Sequence, residues 1–218
     1  MISELQRRDI TALIFDFDGT LAVPTLDFVL MRHEALRAMT KFVEVPNRPD
    51  LPTMELLALI GTETDASRSA CNSALKAIRD VEIEASKRSA LFSFVRPMLR
   101  RIKELGLSMA IITRNCPEAV LTVFPDVAEH AYLLTRDDVP HIKPNPDHLV
   151  RALNLLGVAP KHALMIGDHP MDIEVGQRAK TLTAGVASGE SSYERLAAGN
   201  PDYLEVDGDH LVQTLGLQ

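Results

Sequence analysis

The stretch from Ala12 to Leu21, in which Leu13, Ile14 and Phe15 run straight into Asp16, Asp18, Gly19 and Thr20, constrains the fold more than any other part of the chain. A short apolar run of this kind reads as a buried strand, and carboxylates beside a glycine at its end read as a tight turn that aims both at one point. Burying the strand draws Asp16 and Asp18 toward the interior, where negative charge is costly unless a cation or a reaction uses it. The pair is therefore either an ordinary strand-to-turn ending or the nucleophilic end of a phosphoryl-transfer site.

Three later segments bear on that choice. Ala110 to Asn115 is an apolar run ending in Thr113, Ile142 to Pro146 is a turn framing Lys143 between prolines, and Leu164 to Asp172 is an apolar run ending in Gly167, Asp168 and Asp172. From Phe94 onward helical and strand patterns alternate: helix Pro97 to Leu105, strand Leu107 to Ile112, helix from Pro117 and a strand near Tyr132 to Leu134. Then come helix Pro146 to Leu156, strand Ala163 to Ile166, helix Met171 to Lys180, strand Leu182 to Val186, and a final helix, strand and helix. This alternation predicts an α/β fold, a Rossmann-like parallel sheet with helices on both faces. Such sheets bind ligands at the carboxyl ends of their strands, which brings Asp16, Thr113 and Asp168 to one edge.

Between Pro24 and Ala90 the strand signal disappears. Leu26 to Val43 reads as a helix, a second begins near Thr53 after Pro46, Pro49 and Pro52, and Thr62 to Ser89 reads as one long helix with Ala70, Ala74, Ile78, Val81 and Ala85 on one stripe. The expected division is a core of residues 1–22 and 91–218 with an inserted all-α domain of residues 23–90.

A chain of 218 residues, 46% hydrophobic, builds one sizeable core and has room for a smaller second domain. Its net charge of -7 argues against nucleic acid as a partner, since that polyanion is held by clustered Lys and Arg. Met1 to Ile10 lacks a signal-peptide pattern and no apolar run is long enough to cross a bilayer, so a cytoplasmic protein with no membrane partner, monomeric or homodimeric, is expected. Cys71 and Cys116 are expected to be two reduced thiols.

In this order and spacing, Asp16-x-Asp18-Gly19-Thr20, Thr113, Lys143 and Gly167-Asp168-x-x-x-Asp172 resemble the haloacid dehalogenase superfamily, specifically its phosphatases with a helical (C1-type) cap, phosphoglycolate phosphatase-like. The resemblance covers nearly the whole chain. It implies a Mg²⁺-dependent phosphatase that hydrolyses a small phosphorylated metabolite through an aspartyl-phosphate, with residues 23–90 as the cap. Asp16 would be the nucleophile and Asp18 the acid and base. Mg²⁺ would be held by Asp16, Asp168, the backbone carbonyl of Asp18, and Asp172, which either ligates or orients the other ligands. Thr113 and Lys143 would hold the transferring phosphoryl oxygens, with Arg114 and Asn115 as further phosphate or substrate contacts; helix capping by Asn115 is an equal alternative.

Two other readings stay open at this point: a phosphomutase of β-phosphoglucomutase type, which shields the same intermediate from water, and a receiver-like module that signals through a phospho-aspartate. Arg32, His33 and Arg37 are conceivable substrate contacts on the first inserted helix, although charges there are ordinarily a solvated face. Asp18 disfavours the dehalogenase members, and Lys41, Lys76 and Lys87 look like solvated charges rather than a Schiff-base lysine. His169 could face the site, while the remaining histidines lack zinc-ligand spacing. The chain departs from the family pattern at Ala22-Val23-Pro24 and at Ala179-Lys180, where relatives have Ala-Gly.

Overall fold

The computed structural model describes residues 8–217, so most of the expectation for Met1 to Ile10 lies outside the described residues. The chain divides into two compact units, one built from the segments up to Pro24 and from Ser89 onward, the other from Thr25–Arg88. Just inside the first unit, Val23 N–H bonds the Ala90 carbonyl and Ser89 Oγ bonds the Val23 carbonyl, so the two segments that flank the insertion are held to each other.

Six strands make the first unit: β1 (Ala12–Phe15), β2 (Ser108–Ile112), β3 (Tyr132–Leu134), β4 (Ala163–Gly167), β5 (Leu182–Val186) and β6 (Tyr203–Glu205). All pair in parallel, in the order β3-β2-β1-β4-β5-β6. A parallel sheet must be covered on both faces, and β1 shows why its sequence is apolar throughout. Leu13 and Phe15 pack with Met109, Ile111, Leu164 and Ile166 against α4 (Val95–Glu104), α5 (Pro117–Val123) and α9 (Gly208–Leu215). Ala12 and Ile14 point the other way, with Ala110, Ile112 and Met165, against α6 (Asp147–Leu156) and α7 (Pro170–Ala179). The short α8 (Tyr193–Ala197) buries Leu196.

The second unit consists of α1 (Phe28–Met39), α2 (Thr53–Ile60) and α3 (Asp65–Ser86) around Met31, Ala35, Met39, Leu56, Ala70, Ala74 and Ile78. Its helices are shorter than the apolar periodicity predicts, because capping side chains set the ends. Asp27 accepts the Leu30 N–H at 2.9 Å, which starts α1 after Leu26. Thr64 and Ser67 exchange backbone bonds in a capping box, which starts α3 at Asp65 rather than Thr62. Both cysteines are buried and neither forms a disulfide among the described residues, where no helix is long and apolar enough to cross a membrane.

Ile14 sits fully buried on the central strand that carries Asp16. Ile14→Ala is expected to cost about 2–5 kcal/mol, the transfer loss plus the cavity left behind. Urea unfolding followed by tyrosine fluorescence reads it, since Tyr132, Tyr193 and Tyr203 all lie in the first unit; a cost below about 0.5 kcal/mol would mean that the strand repacks freely.

Candidate active site

The strand order changes direction between β1 and β4: β1 continues to β2 and β3 on one side, and β4 to β5 and β6 on the other. A crevice opens outside the carboxyl ends of the strands at such a switch. The register pairs Phe15 with Ile111 and with Ile166, and Asp16 N–H bonds the Ile166 carbonyl at 2.8 Å, so Asp16 leaves the sheet beside Gly167 and Asp168. Residues separated by about 150 positions therefore become neighbours.

Lys143 is the centre of the arrangement. Its side chain is 2% exposed, and Nζ lies 2.8 Å from Asp16 Oδ1 and 2.7 Å from Asp172 Oδ1. Asp16 Oδ1 also accepts the Phe17 N–H at 2.7 Å, while Oδ2 accepts from no described group. Asp172 Oδ2 accepts the His169 N–H at 3.1 Å and so closes the first turn of α7. Asp168, beside it, takes the Glu190 N–H on Oδ2 at 3.1 Å and the Thr20 hydroxyl on Oδ1 at 3.4 Å. One carboxylate oxygen from each of Asp16, Asp168 and Asp172 lies within 4.8 Å of the others.

Three carboxylates share one ammonium here, and the imbalance shows in their protonation. Burial first, and then Asp16 and Asp172, push the Asp168 carboxyl up to about 8. Burial also raises Asp172, to about 6, against the pull of Lys143. Burial works against the Lys143 charge, but the two carboxylates outweigh it and hold the ammonium above its ordinary range. The cluster thus keeps a negative charge that either a proton or a cation must offset. An all-oxygen donor set of this kind suits a hard divalent cation.

The sequence-predicted residues divide into two groups. Asp16, Lys143, Asp168 and Asp172 meet in the cluster. Asp18, Thr113 and Asn115 form a second chain of contacts: Asn115 Nδ2 donates to Asp18 Oδ2 at 2.6 Å, and the Asn115 N–H donates to Thr113 Oγ1 at 3.1 Å. The Asp18 carboxylate is thus separate from the three clustered ones. Helix capping by Asn115 does not occur: the N-cap of α5 is Cys116, with no side-chain capping bond, and Asn115 Nδ2 donates to Asp18. Arg114 Nη1 meets Met171 Sδ at 3.4 Å. In the second unit Arg32 binds the Arg48 and Leu51 carbonyls, and Arg37 and His33 pair with Glu34, so local partners engage all three.

Sequence reasoning passed over the loop after β5. A Cβ on Gly189 would collide with the Asp168 carboxylate, and Gly19, at φ +75°, is equally close to Asp168. Only glycine admits this approach. Ser188 Oγ donates to the Gly19 carbonyl at 2.7 Å, and Glu190 supplies its N–H to Asp168. The available signal was positional: Ala187-Ser188-Gly189-Glu190 follows a strand at the carboxyl edge.

A raised carboxyl pKa in the fold means that the folded state binds protons more tightly than the unfolded chain. With divalent cations chelated, the contribution of these two carboxyls to stability, full below the ordinary value of 3.8, is expected to be lost as pH rises through about 6 and about 8. Urea midpoints measured from pH 5 to 9 with and without a divalent cation check this; a chelated protein that gains stability across that range contradicts it.

A sequence-family model described as haloacid dehalogenase-like hydrolase matches residues 13–186. Pyrophosphatase PpaX of Bacillus velezensis is 27% identical over 214 residues, covering 96% of this chain and 98% of that protein. Among solved structures, a hydrolase from Pseudomonas syringae superposes with a TM-score of 0.71 at 21% identity, covering 94% of this chain and 98% of its own. CbbY from Rhodobacter sphaeroides, in complex with phosphate, gives 0.69 at 19% identity, covering 95% and 99%. These likenesses establish a shared fold, and the family match spans most of the chain: the protein belongs to the haloacid dehalogenase-like hydrolases.

Proposed function

We propose that the protein is a Mg²⁺-dependent phosphatase that cleaves a small phosphorylated compound through an aspartyl-phosphate on Asp16. The observation that carries this reading is the buried Lys143 ammonium bridging Asp16 and Asp172 beside Asp168. Phosphoryl transfer is catalysed mainly by positioning and by charge stabilisation, and this centre supplies a carboxylate nucleophile, a fixed cation and a hard-ion site within a few ångströms. The full-length similarity to a pyrophosphatase supports a phosphate-cleaving activity and puts inorganic pyrophosphate among the substrates to test.

In this reading Asp16 Oδ2, which no described group engages, attacks phosphorus in line. A bond forms from Oδ2 to phosphorus, the bond from phosphorus to the leaving oxygen breaks, and the Asp18 carboxyl hands its proton to that oxygen. Asp18, now a carboxylate, then takes a proton from a water as the water oxygen attacks phosphorus. The acyl-phosphate bond breaks, inorganic phosphate leaves, and Asp16 is a carboxylate again. Asn115 holds Asp18 in place for both steps through its 2.6 Å amide bond. Lys143 offsets charge on the nucleophile's other oxygen throughout, and Thr113 sits beside Asn115 as a hydroxyl for the phosphoryl oxygens.

Asp16, Asp168 and Asp172, with the Asp18 backbone carbonyl, are the groups that would hold Mg²⁺, which when bound neutralises phosphoryl charge and keeps the carboxylates ionised. The glycine cradle fits that assignment. Gly19 and Gly189, having no Cβ, admit the Asp168 carboxylate between them, and Thr20 and Glu190 hold its two oxygens.

Asp16→Asn preserves shape and removes the nucleophile. Turnover in a Mg²⁺-supplemented screen of phosphorylated metabolites that includes pyrophosphate is expected to fall at least about 10³-fold; a variant that releases phosphate like the parent rules out covalent catalysis at Asp16. Gly189→Ala is expected to push Asp168 aside and weaken Mg²⁺ binding about 10- to 100-fold in calorimetric titration. Unchanged affinity would show that Asp168 is not a ligand.

A further inference from the structure

His169 is held in a tautomer that its surroundings do not satisfy. As the N-cap of α7 its Nδ1 accepts the Met171 N–H at 3.1 Å, so Nδ1 carries no proton and the ring keeps its proton on Nε2. Nε2 faces Arg195 Nη2 at 3.3 Å, and a guanidinium only donates. Two donors therefore point at each other, and no acceptor from the described residues lies between them. Arg195 lies within electrostatic reach of Glu190 but forms no ion pair with a carboxylate among the described residues. Arg114 stands across Met171, whose sulfur is a weak acceptor. Asp16, Lys143, Arg114 and Arg195 all act electrostatically on the His169 ring. His169 also follows Asp168 directly and gives its N–H to Asp172.

Convergent donors with a cation among them call for an oxyanion, whose several lone pairs accept from both at once. We propose that His169 Nε2–H and Arg195 form a second anion subsite, beside the Asp16–Lys143–Asp172 centre, for a substrate group that is not transferred. Because it assigns the untransferred part of the substrate, the proposal rests on the phosphatase reading. The ligand chemistry is a second phosphoryl or carboxylate group close to the scissile phosphoryl, so compact, doubly anionic substrates are preferred over phosphomonoesters with an apolar remainder. The subsite belongs wholly to the first unit and needs no residue of the second.

The test compares kcat/KM for inorganic pyrophosphate, 2-phosphoglycolate and p-nitrophenyl phosphate in the parent, His169→Asn and Arg195→Gln. Asparagine keeps an N-cap acceptor for Met171 but removes the Nε2 donor, so the cap is preserved, as a thermal melt verifies. Selectivity for the doubly anionic substrates over p-nitrophenyl phosphate is expected to fall about tenfold or more in each variant, through KM rather than kcat, as for loss of a hydrogen bond to a charged group. A fall confined to pyrophosphate assigns the subsite to a phosphoryl group, and one confined to 2-phosphoglycolate assigns it to a carboxylate. Unchanged selectivity, or an equal fall on all three substrates, overturns the proposal. A parent enzyme that hydrolyses none of them would instead count against the phosphatase reading. Calorimetric titration of pyrophosphate into parent and Arg195→Gln then decides the subsite separately: equal affinity overturns it, and a tenfold loss supports it.

Discussion

A lysine ammonium cannot be buried to 2% exposure without matching charge, and the architecture around Lys143 follows from that requirement. Removing such an ion from water costs several kcal/mol, and only carboxylates at hydrogen-bond distance return it. Asp16 and Asp172 supply them at 2.8 and 2.7 Å. The two come from distant parts of the chain's first unit, one from the end of β1 and one from the first turn of α7. The ion pair therefore fixes a helix start against a strand end, and any motion of one is resisted by the charge of the other. Asp168 then breaks the balance. It adds a third carboxylate to a site that one ammonium serves, and burial pushes its carboxyl up to about 8 as a result. The fold holds a charge deficit at one point.

The sheet makes that concentration possible. Parallel pairing forces every strand to end at the same edge, and the order β3-β2-β1-β4-β5-β6 puts β1 and β4 side by side where the connections diverge. Asp16, Asp168 and the Ser188–Glu190 loop are consequences of one edge, collected from three strands. Core packing supplies the rigidity: Leu13 and Phe15 are buried on one face and Ile14 on the other, so β1 cannot slip by a residue without turning both faces inside out.

Much of this was legible in the sequence because it rests on strong local signals. The apolar runs at 12–15, 108–112 and 163–167 end in residues whose chemistry is unusual for a buried strand end, and the alternation with helices gave the sheet its parallel sense. What stayed hidden depends on contacts distant in the chain. Gly189 reads as an ordinary loop glycine until the Asp168 carboxylate is found against it. Asn115 reads equally well as a helix cap, because nothing near it in sequence shows that Asp18 lies 2.6 Å away. The helix ends of the second unit were misjudged for a different reason. Apolar periodicity continues past the point where Asp27 and Thr64 satisfy the first free N–H groups, and capping, not periodicity, decides where a helix begins. At Lys180, the C-cap of α7, the chain takes the left-handed conformation, φ +63°, that ordinarily favours glycine.

The separation of Asp16 from Asp18 is the remaining consequence. Two residues apart on a tight turn, they have different partners: Asp16 faces an ammonium and two further carboxylates, and Asp18 faces a neutral amide. The proposed chemistry asks for that asymmetry, since a nucleophile must stay charged while an acid must first be neutral. The turn after β1 provides it: Asp16 lies with Lys143, Asp168 and Asp172 at the ends of β4 and α7, and Asp18 meets Asn115 in the loop after β2.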